Sequence, residues 1–349
     1  MKTKPSPTRP VNVAVVGLGF MGVTHLRSYQ KIRGAKVFAV CDAVRKPVNG
    51  IIPGVGGNIH GADALDLGLK LRAYQDYDLL LADPDVDLID LCVPTPLHVP
   101  MAVAALKAGK HVVCEKPMAR DAVACRKIVQ AAKSAKGFLM PAMCMRFWPG
   151  WSWLKDAVAD KRYGKVLAAR FRRVSESPGW STASYFDGKN SGGALLDLHI
   201  HDSDFIQFVF GLPKSVFARG ITRFSGAIDH VVAQYDVDCG AVVSAEGTWL
   251  MTKGHGFGMS YTINFEKATV DFDSSRGAEA LRVFEEGKKP KTLKIKGDDG
   301  YVGELRHMIE SIRAGKAPTI VTPEDALNAV RICEAEEKSI ATGKPVAIR

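Results

Sequence analysis

The feature that most restricts this chain is a glycine-rich turn set between a strand and a helix. Val11-Asn12-Val13-Ala14-Val15-Val16 is a β-branched run of the kind that forms a strand buried on both faces. Gly17-Leu18-Gly19-Phe20-Met21-Gly22 follows at once, and helical spacing continues across Thr24 to Ile32, closed by Gly34. A second strand, Val37 to Cys41, ends at Asp42, 20 residues beyond Gly22. A lone GxGxxG is a weak signal. With a strand before it, a helix after it and an acidic residue ending the next strand, it is the dinucleotide fingerprint. Gly17 permits the tight turn, Gly19 lets a diphosphate approach the backbone, and Gly22 lets helix and strand pack closely. Phe20 and Met21 open the helix, whose free N–H groups and partial positive charge suit that diphosphate. Asp42 would accept hydrogen bonds from the adenosine ribose, which favours NAD. Arg45 and Lys46 follow directly and leave NADP open.

The rhythm of strands and helices extends the argument. Val86–Val93 and His111–Glu115 read as strands flanking a helix, Val99 to Lys107, that stops at Gly109. Such alternation means a doubly wound parallel sheet. Residues 43–70 are Gly-rich, irregular and long for a connection between strand and helix, so they read as an insertion. After about Met145 the rhythm changes. Helical segments at Trp151–Ala159 and Ala194–Phe210 bracket a loop rich in Ser, Gly and aromatics. Extended runs follow at Lys214–Phe224, Val231–Asp238, Ala241–Leu250 and Tyr261–Phe272, with no helices between them, which indicates an antiparallel sheet. Two helices, Val302–Ala314 and Pro323–Thr342, end the chain. The expected organisation is a tail over 1–10, a nucleotide-binding domain over 11–144 and a second domain over 145–349.

Composition narrows the function class. With 349 residues, 46% hydrophobic and 24% charged, the chain suits two globular domains and excludes a disordered or fibrous protein. No window approaches the ~18 apolar residues of a membrane span. The 7 cysteines are scattered, without a CxxC pair, and read as buried free thiols. Met1 to Pro10 has no apolar core of a secretory signal and reads as a basic tail, so a cytoplasmic location is expected. A formal net charge of +10 raises the question of nucleic acid. Lys288, Lys289, Lys291, Lys294 and Lys296 lack interleaved aromatics, however, and alternate with Thr292, Leu293 and Ile295. That pattern is a lysine-protected edge strand, so neither a nucleic-acid nor a membrane partner is expected.

Two further segments carry chemistry. Val93-Pro94-Thr95-Pro96-Leu97-His98 and Cys114-Glu115-Lys116-Pro117 each follow a parallel strand, where ligands of doubly wound sheets bind. In Gly192-Gly193-Ala194-Leu195-Leu196-Asp197-Leu198-His199-Ile200-His201-Asp202-Ser203-Asp204, helical spacing puts Asp197 and His201 on one face. Together with Met145-Arg146-Phe147 and Thr342-Gly343-Lys344-Pro345-Val346, these segments make the whole chain resemble the glucose–fructose oxidoreductase / inositol dehydrogenase (Gfo/Idh/MocA) family.

That resemblance implies an N-terminal Rossmann domain followed by an α/β domain with a large, mostly antiparallel open sheet. It implies NAD(P)-dependent hydride transfer at a secondary hydroxyl of a sugar, sugar derivative or cyclitol. The family's reactive Lys, Asp and His fall on Lys116, Asp197 and His201. Its cofactor contacts fall on the glycine turn, Asp42, Pro94, Thr95, His98, Glu115 and Lys116. The chemistry is consistent: His201 suits general acid–base work, Asp197 can orient its ring, and Lys116 can hydrogen-bond the reacting oxygen. Arg146, Trp180 and Tyr185 are candidates for a sugar-facing wall, with ordinary loop packing the alternative. Ser191 and His199 depart from the family pattern, each standing where glycine is usual. His199 is expected to touch substrate or to pair with Asp202. It lies across a helix from His201, so no metal site is expected. A homodimer or homotetramer is expected through the open sheet. Two other readings remain: a redox-neutral glycosidase or lyase that retains its NAD, and a non-catalytic dinucleotide sensor.

Overall fold

A computed structural model describes residues 9–55, 63–68, 70–179 and 186–349. The tail over 1–8 and the loop residues Trp180 and Tyr185 lie outside the described residues. In chain order the elements begin β1 (Val11–Val16), α1 (Phe20–Tyr29), β2 (Ala35–Cys41), β3 (Ile51–Ile52), β4 (Leu65–Asp66), β5 (Arg72–Tyr74), α2 (Tyr77–Ala82) and β6 (Leu88–Leu91). They continue α3 (His98–Lys107), β7 (His111–Cys114), α4 (Ala122–Ser134), β8 (Leu139–Pro141), α5 (Pro149–Ala159), β9 (Val166–Glu176), α6 (Gly188–Ser191) and α7 (Ile200–Phe210). The remainder is β10 (Ser215–Ile221), β11 (His230–Asp236), β12 (Val242–Met251), β13 (Gly258–Phe265), β14 (Ala268–Asp273), β15 (Leu281–Glu285), β16 (Lys291–Leu293), α8 (Gly300–Ala314), α9 (Pro323–Thr342) and β17 (Val346–Ala347).

The chain forms two compact units. The first comprises residues 1–119, 123–144 and 299–327. Its sheet runs β5-β2-β1-β6-β7-β8, every pair parallel. That is the 3-2-1-4-5-6 order of a Rossmann sheet, with the switch point between β1 and β6. The β-branched residues Val13, Val15, Ile89, Val112 and Val113 are completely buried, as strands covered on both faces require. A single break at 144/145 does not describe this unit, because α8 returns to pack against α1, β1 and β7. The described part of the 43–70 insertion carries the small β3–β4 hairpin, tied to α1 where Arg27 donates to the Asp63 carbonyl.

The second unit comprises residues 120–122, 145–298 and 328–349. Its nine strands run β16-β15-β14-β13-β9-β12-β11-β10-β17, antiparallel except for the β9–β12 pair. Lys291–Leu293 is the edge strand beside β15, where lysines blunt unpaired backbone groups. The expected run Tyr261–Phe272 is two strands, β13 and β14, turned at Glu266-Lys267. The core centres on Trp151, fully buried against Phe171, Phe205, Tyr261 and Phe272. Tyr261 is itself pinned, its hydroxyl donating to the Gly150 carbonyl at 2.6 Å.

Candidate active site

The glycine turn is built by local sterics. Gly17 has φ +92°, and a Cβ there would lie 2.4 Å from the Cys92 carbonyl oxygen at the end of β6. A Cβ on Gly22 would lie 1.8 Å from the Gly17 oxygen. These two glycines let β1, α1 and β6 close on one another at the switch point. Gly19 is different: a Cβ there meets no protein atom within 4 Å. Gly19 is the N-cap of the ten-residue helix α1, and no side chain caps that helix. A helix start behind a bare glycine with open space at its Cβ position fits a dinucleotide diphosphate.

Asp42 braces this cradle. Its Oδ2 accepts the Leu18 N–H at 2.7 Å, and its Oδ1 accepts those of Val44 and Arg45 at 2.9 and 2.8 Å. A carboxylate offers about four acceptor positions, so capacity remains for a ribose hydroxyl. Arg45 donates to the Leu18 carbonyl at 3.2 Å, so its guanidinium lies against the turn.

Pro94 is exposed and Thr95 half-buried, opening the short 3₁₀ turn Thr95–Leu97 after β6. His98 has a different place from a ligand contact. It is 1% exposed, and its ring nitrogens lie 2.8 Å from the carbonyl oxygens of Val93 and Pro117. Burial lowers its pKa, the two carbonyls opposing the shift, and the ring bridges the Thr95 turn and the Lys116 turn. Glu115 is also buried, its carboxylate folded back onto the Lys116 N–H at 2.9 Å. From Val112 to Ala119 every residue is buried except Lys116.

The second unit repeats that signature. From Gly192 to Gln207 every residue is buried except Asp197 and His201. The segment is not one regular helix. Leu195–His199 is a π-turn that runs into α7. Four residues fall slightly short of a full turn where the winding is widened, so Asp197 and His201 still lie close to one face. Such single widened turns are frequent at functional sites.

Distant partners hold the buried polar groups of this segment. Asp202 receives Arg173 at 2.9 and 3.2 Å, and Asp204 receives Arg146 at 2.9 and 2.7 Å. His199 Nε2 lies 3.0 Å from the Tyr235 hydroxyl, and Tyr235 donates to Glu336 at 2.6 Å. Burial opposes charge on the His199 ring, but Glu336 and Asp202 together outweigh it and raise the pKa. Two expectations are therefore corrected. His199 is fully buried and pairs with Tyr235 and Glu336, so it neither meets substrate nor bonds Asp202. Arg146 is not a gripping residue of a sugar wall, because its guanidinium is committed to Asp204 and stacked on Phe208 at 4.6 Å. The partners Arg173, Tyr235 and Glu336 were not found from the sequence. A charged or hydroxyl group inside an otherwise apolar alternation was their only signal.

Comparison with known proteins agrees with this architecture. Residues 11–143 match the Gfo/Idh/MocA model described as an oxidoreductase family with an NAD-binding Rossmann fold, and residues 151–271 match its C-terminal domain model. The myo-inositol 2-dehydrogenase of Thermotoga maritima is 26% identical over 356 residues, covering 97% of this chain and 98% of that protein. The inositol 2-dehydrogenase of Rhizobium meliloti is 25% identical, covering 97% and 99%. A solved structure of levoglucosan dehydrogenase in complex with NADH and L-sorbose shares the fold with a TM-score of 0.84 at 20% identity, covering 98% of this chain and all of that one. The chain belongs to the Gfo/Idh/MocA family of oxidoreductases, and its first unit is that family's NAD-binding Rossmann domain.

Proposed function

We propose that this protein is an NAD-dependent dehydrogenase acting on a secondary hydroxyl of a sugar, sugar derivative or cyclitol. One observation carries the residue assignment. In two otherwise buried segments, the residues left half-buried are Lys116 in one unit and Asp197 and His201 in the other. Bound NAD supplies the hydride acceptor. His201 takes the hydroxyl proton, Asp197 orients the ring and stabilises its protonated form, and Lys116 hydrogen-bonds the oxygen as it becomes a carbonyl. The inositol dehydrogenase relatives support the cyclitol end of this range, and the levoglucosan dehydrogenase likeness supports the sugar end.

The test is a panel of cyclitols, sugars, sugar acids and glycosides with NAD and with NADP, read by absorbance of the reduced cofactor. Turnover with NAD is expected. Lys116→Met and His201→Ala should each lower kcat/KM by about 10²–10⁴-fold. Glycoside cleavage without net reduced cofactor would replace this reading by the redox-neutral one. Cofactor binding without any turnover would leave only a sensor.

The same proposal includes assembly and location. Phe217, Val232 and Val242 project from neighbouring strands β10, β11 and β12 and are 37%, 46% and 59% exposed. An open sheet face that exposes such side chains suits a homodimer or homotetramer. A monomer by light scattering at micromolar concentration would refute that. Among the described residues no helix is long and apolar enough to cross a membrane, which is compatible with a cytoplasmic enzyme.

A further inference from the structure

A buried polar cluster in the first unit lies behind the cofactor cradle. His25 sits on α1, in the helix that Gly19 opens, and its ring is completely buried. Nδ1 lies 2.8 Å from Asp90 Oδ2 on β6. Nε2 lies 3.1 Å from Glu115 Oε1 at the end of β7, an ion-pair contact without hydrogen-bond alignment. The other Glu115 oxygen, Oε2, accepts the Lys116 N–H at 2.9 Å. A neutral imidazole donates from one nitrogen only, so a ring flanked by two carboxylates is best satisfied as the cation. Burial opposes that charge, but Asp90 and Cys92 outweigh it and raise the His25 pKa. Burial likewise pushes the Glu115 carboxyl up, and His25 and Lys116 together more than reverse the effect. The third carboxyl, Glu304 from α8, stands 3.9 Å from the same Nε2, fully buried, with neither oxygen hydrogen-bonded among the described residues. A core selected for stability alone would be served as well by apolar side chains of similar volume.

We propose that His25 is a positioning residue: through Glu115 it fixes the Lys116 peptide relative to the helix that receives the cofactor diphosphate. The proposal rests on the reading of Lys116 as a catalytic residue. The physical need is clear. Lysine has a long flexible stem, so the place its ammonium reaches depends on where its backbone is anchored. A displacement of ~1 Å at a reacting group can cost about 10²-fold in rate.

Two amide variants separate positioning from simple bracing. The amide nitrogen of asparagine takes the place of Nδ1, and that of glutamine the place of Nε2. His25→Asn can therefore still reach Asp90 but not Glu115, and His25→Gln the reverse. We expect H25Q to keep kcat within about threefold. H25N should lose at least tenfold in kcat with KM for NAD little changed, and Glu115→Ala should lose as much. The double variant H25N with Glu115→Ala should lose no more than Glu115→Ala alone. Amide exchange at Lys116 reads the same effect without turnover: protection should fall at least tenfold in H25N and not in H25Q. Equal kcat and equal Lys116 protection in both folded variants would overturn the proposal. If H25N does not fold, Glu115→Ala against H25Q decides by the same two readouts. Lys116→Met keeps the two ideas apart: full activity there removes the catalytic reading, whereas an inactive K116M beside a fully active H25N removes this proposal alone.

Discussion

Arg146→Met should destabilise the protein strongly and leave substrate affinity nearly unchanged. The guanidinium meets Asp204 through Nε at 2.9 Å and Nη2 at 2.7 Å, with the two side chains 2% and 1% exposed. The variant strands the Asp204 carboxylate in the core with a neutral donor from Gln207 at 3.0 Å but no countercharge from Arg146. Breaking one side of such a buried pair costs about 3–5 kcal/mol. For a unit of this size that corresponds to a fall in Tm of roughly 6–20 °C. Methionine keeps an aliphatic stem but removes the guanidinium that lies over Phe208, so the loss reports on the ion pair together with that stacking. The double variant Arg146→Met with Asp204→Leu removes both charges and should recover most of the loss. Thermal and urea unfolding measure the stability, and initial rates at a temperature where the variant is folded measure KM. A Tm unchanged within about 2 °C, coupled with a raised KM for substrate, would refute this reasoning and restore Arg146 to the substrate wall.

Two further perturbations test the cradle and the buried cluster. Gly19→Ala adds a methyl that meets no protein atom within 4 Å, whereas on Gly22 it would lie 1.8 Å from the Gly17 oxygen. Gly19→Ala should therefore keep its Tm and bind NAD at least tenfold more weakly, while Gly22→Ala should lose stability; equal Tm losses would refute the distinction. Burial holds the Glu304 carboxyl well above its usual pKa. Such a raised group contributes its full stability below the unfolded-state value, near 4.3, and loses it as pH rises toward the folded value. Glu304→Gln cannot ionise, so its stability relative to wild type should grow upward from about pH 4.5, by at most about 1.4 kcal/mol per unit. Urea unfolding at pH 4, 6 and 8 checks this, and a pH-independent difference would sink it.

What could be read from the sequence was what local sterics decide. The turn Gly17 to Gly22 needs only neighbouring atoms to demand glycine, and α9 begins where Thr322 and Asp325 cap each other. The parts that were missed depend on distant partners. The three-residue edge strand β5 has no apolar run of its own and exists because β2 offers it an edge. The eleven-residue strand β9 carries Arg170, Arg172 and Arg173, which masks its alternation. Arg173 can face the core only because Asp202 waits there.

The same dependence explains why the site residues could be nominated but not sorted. Asp197, His199, His201, Asp202 and Asp204 are alike in composition and crowded within two turns. Helical spacing alone assigns His199 an ambiguous direction. Its burial is decided by Tyr235, on β11, and Glu336, on α9. Asp202 and Asp204 are likewise claimed by Arg173 and Arg146. Each buried charge in this segment has an opposite charge brought to it from another element, which is the condition for placing it in the core at all. The scaffold thus sorts the cluster: it draws three polar groups fully inward as anchors of the π-turn and leaves Asp197 and His201 half-buried. Chemistry in this segment is therefore expected from the pair that the anchoring network does not draw inward.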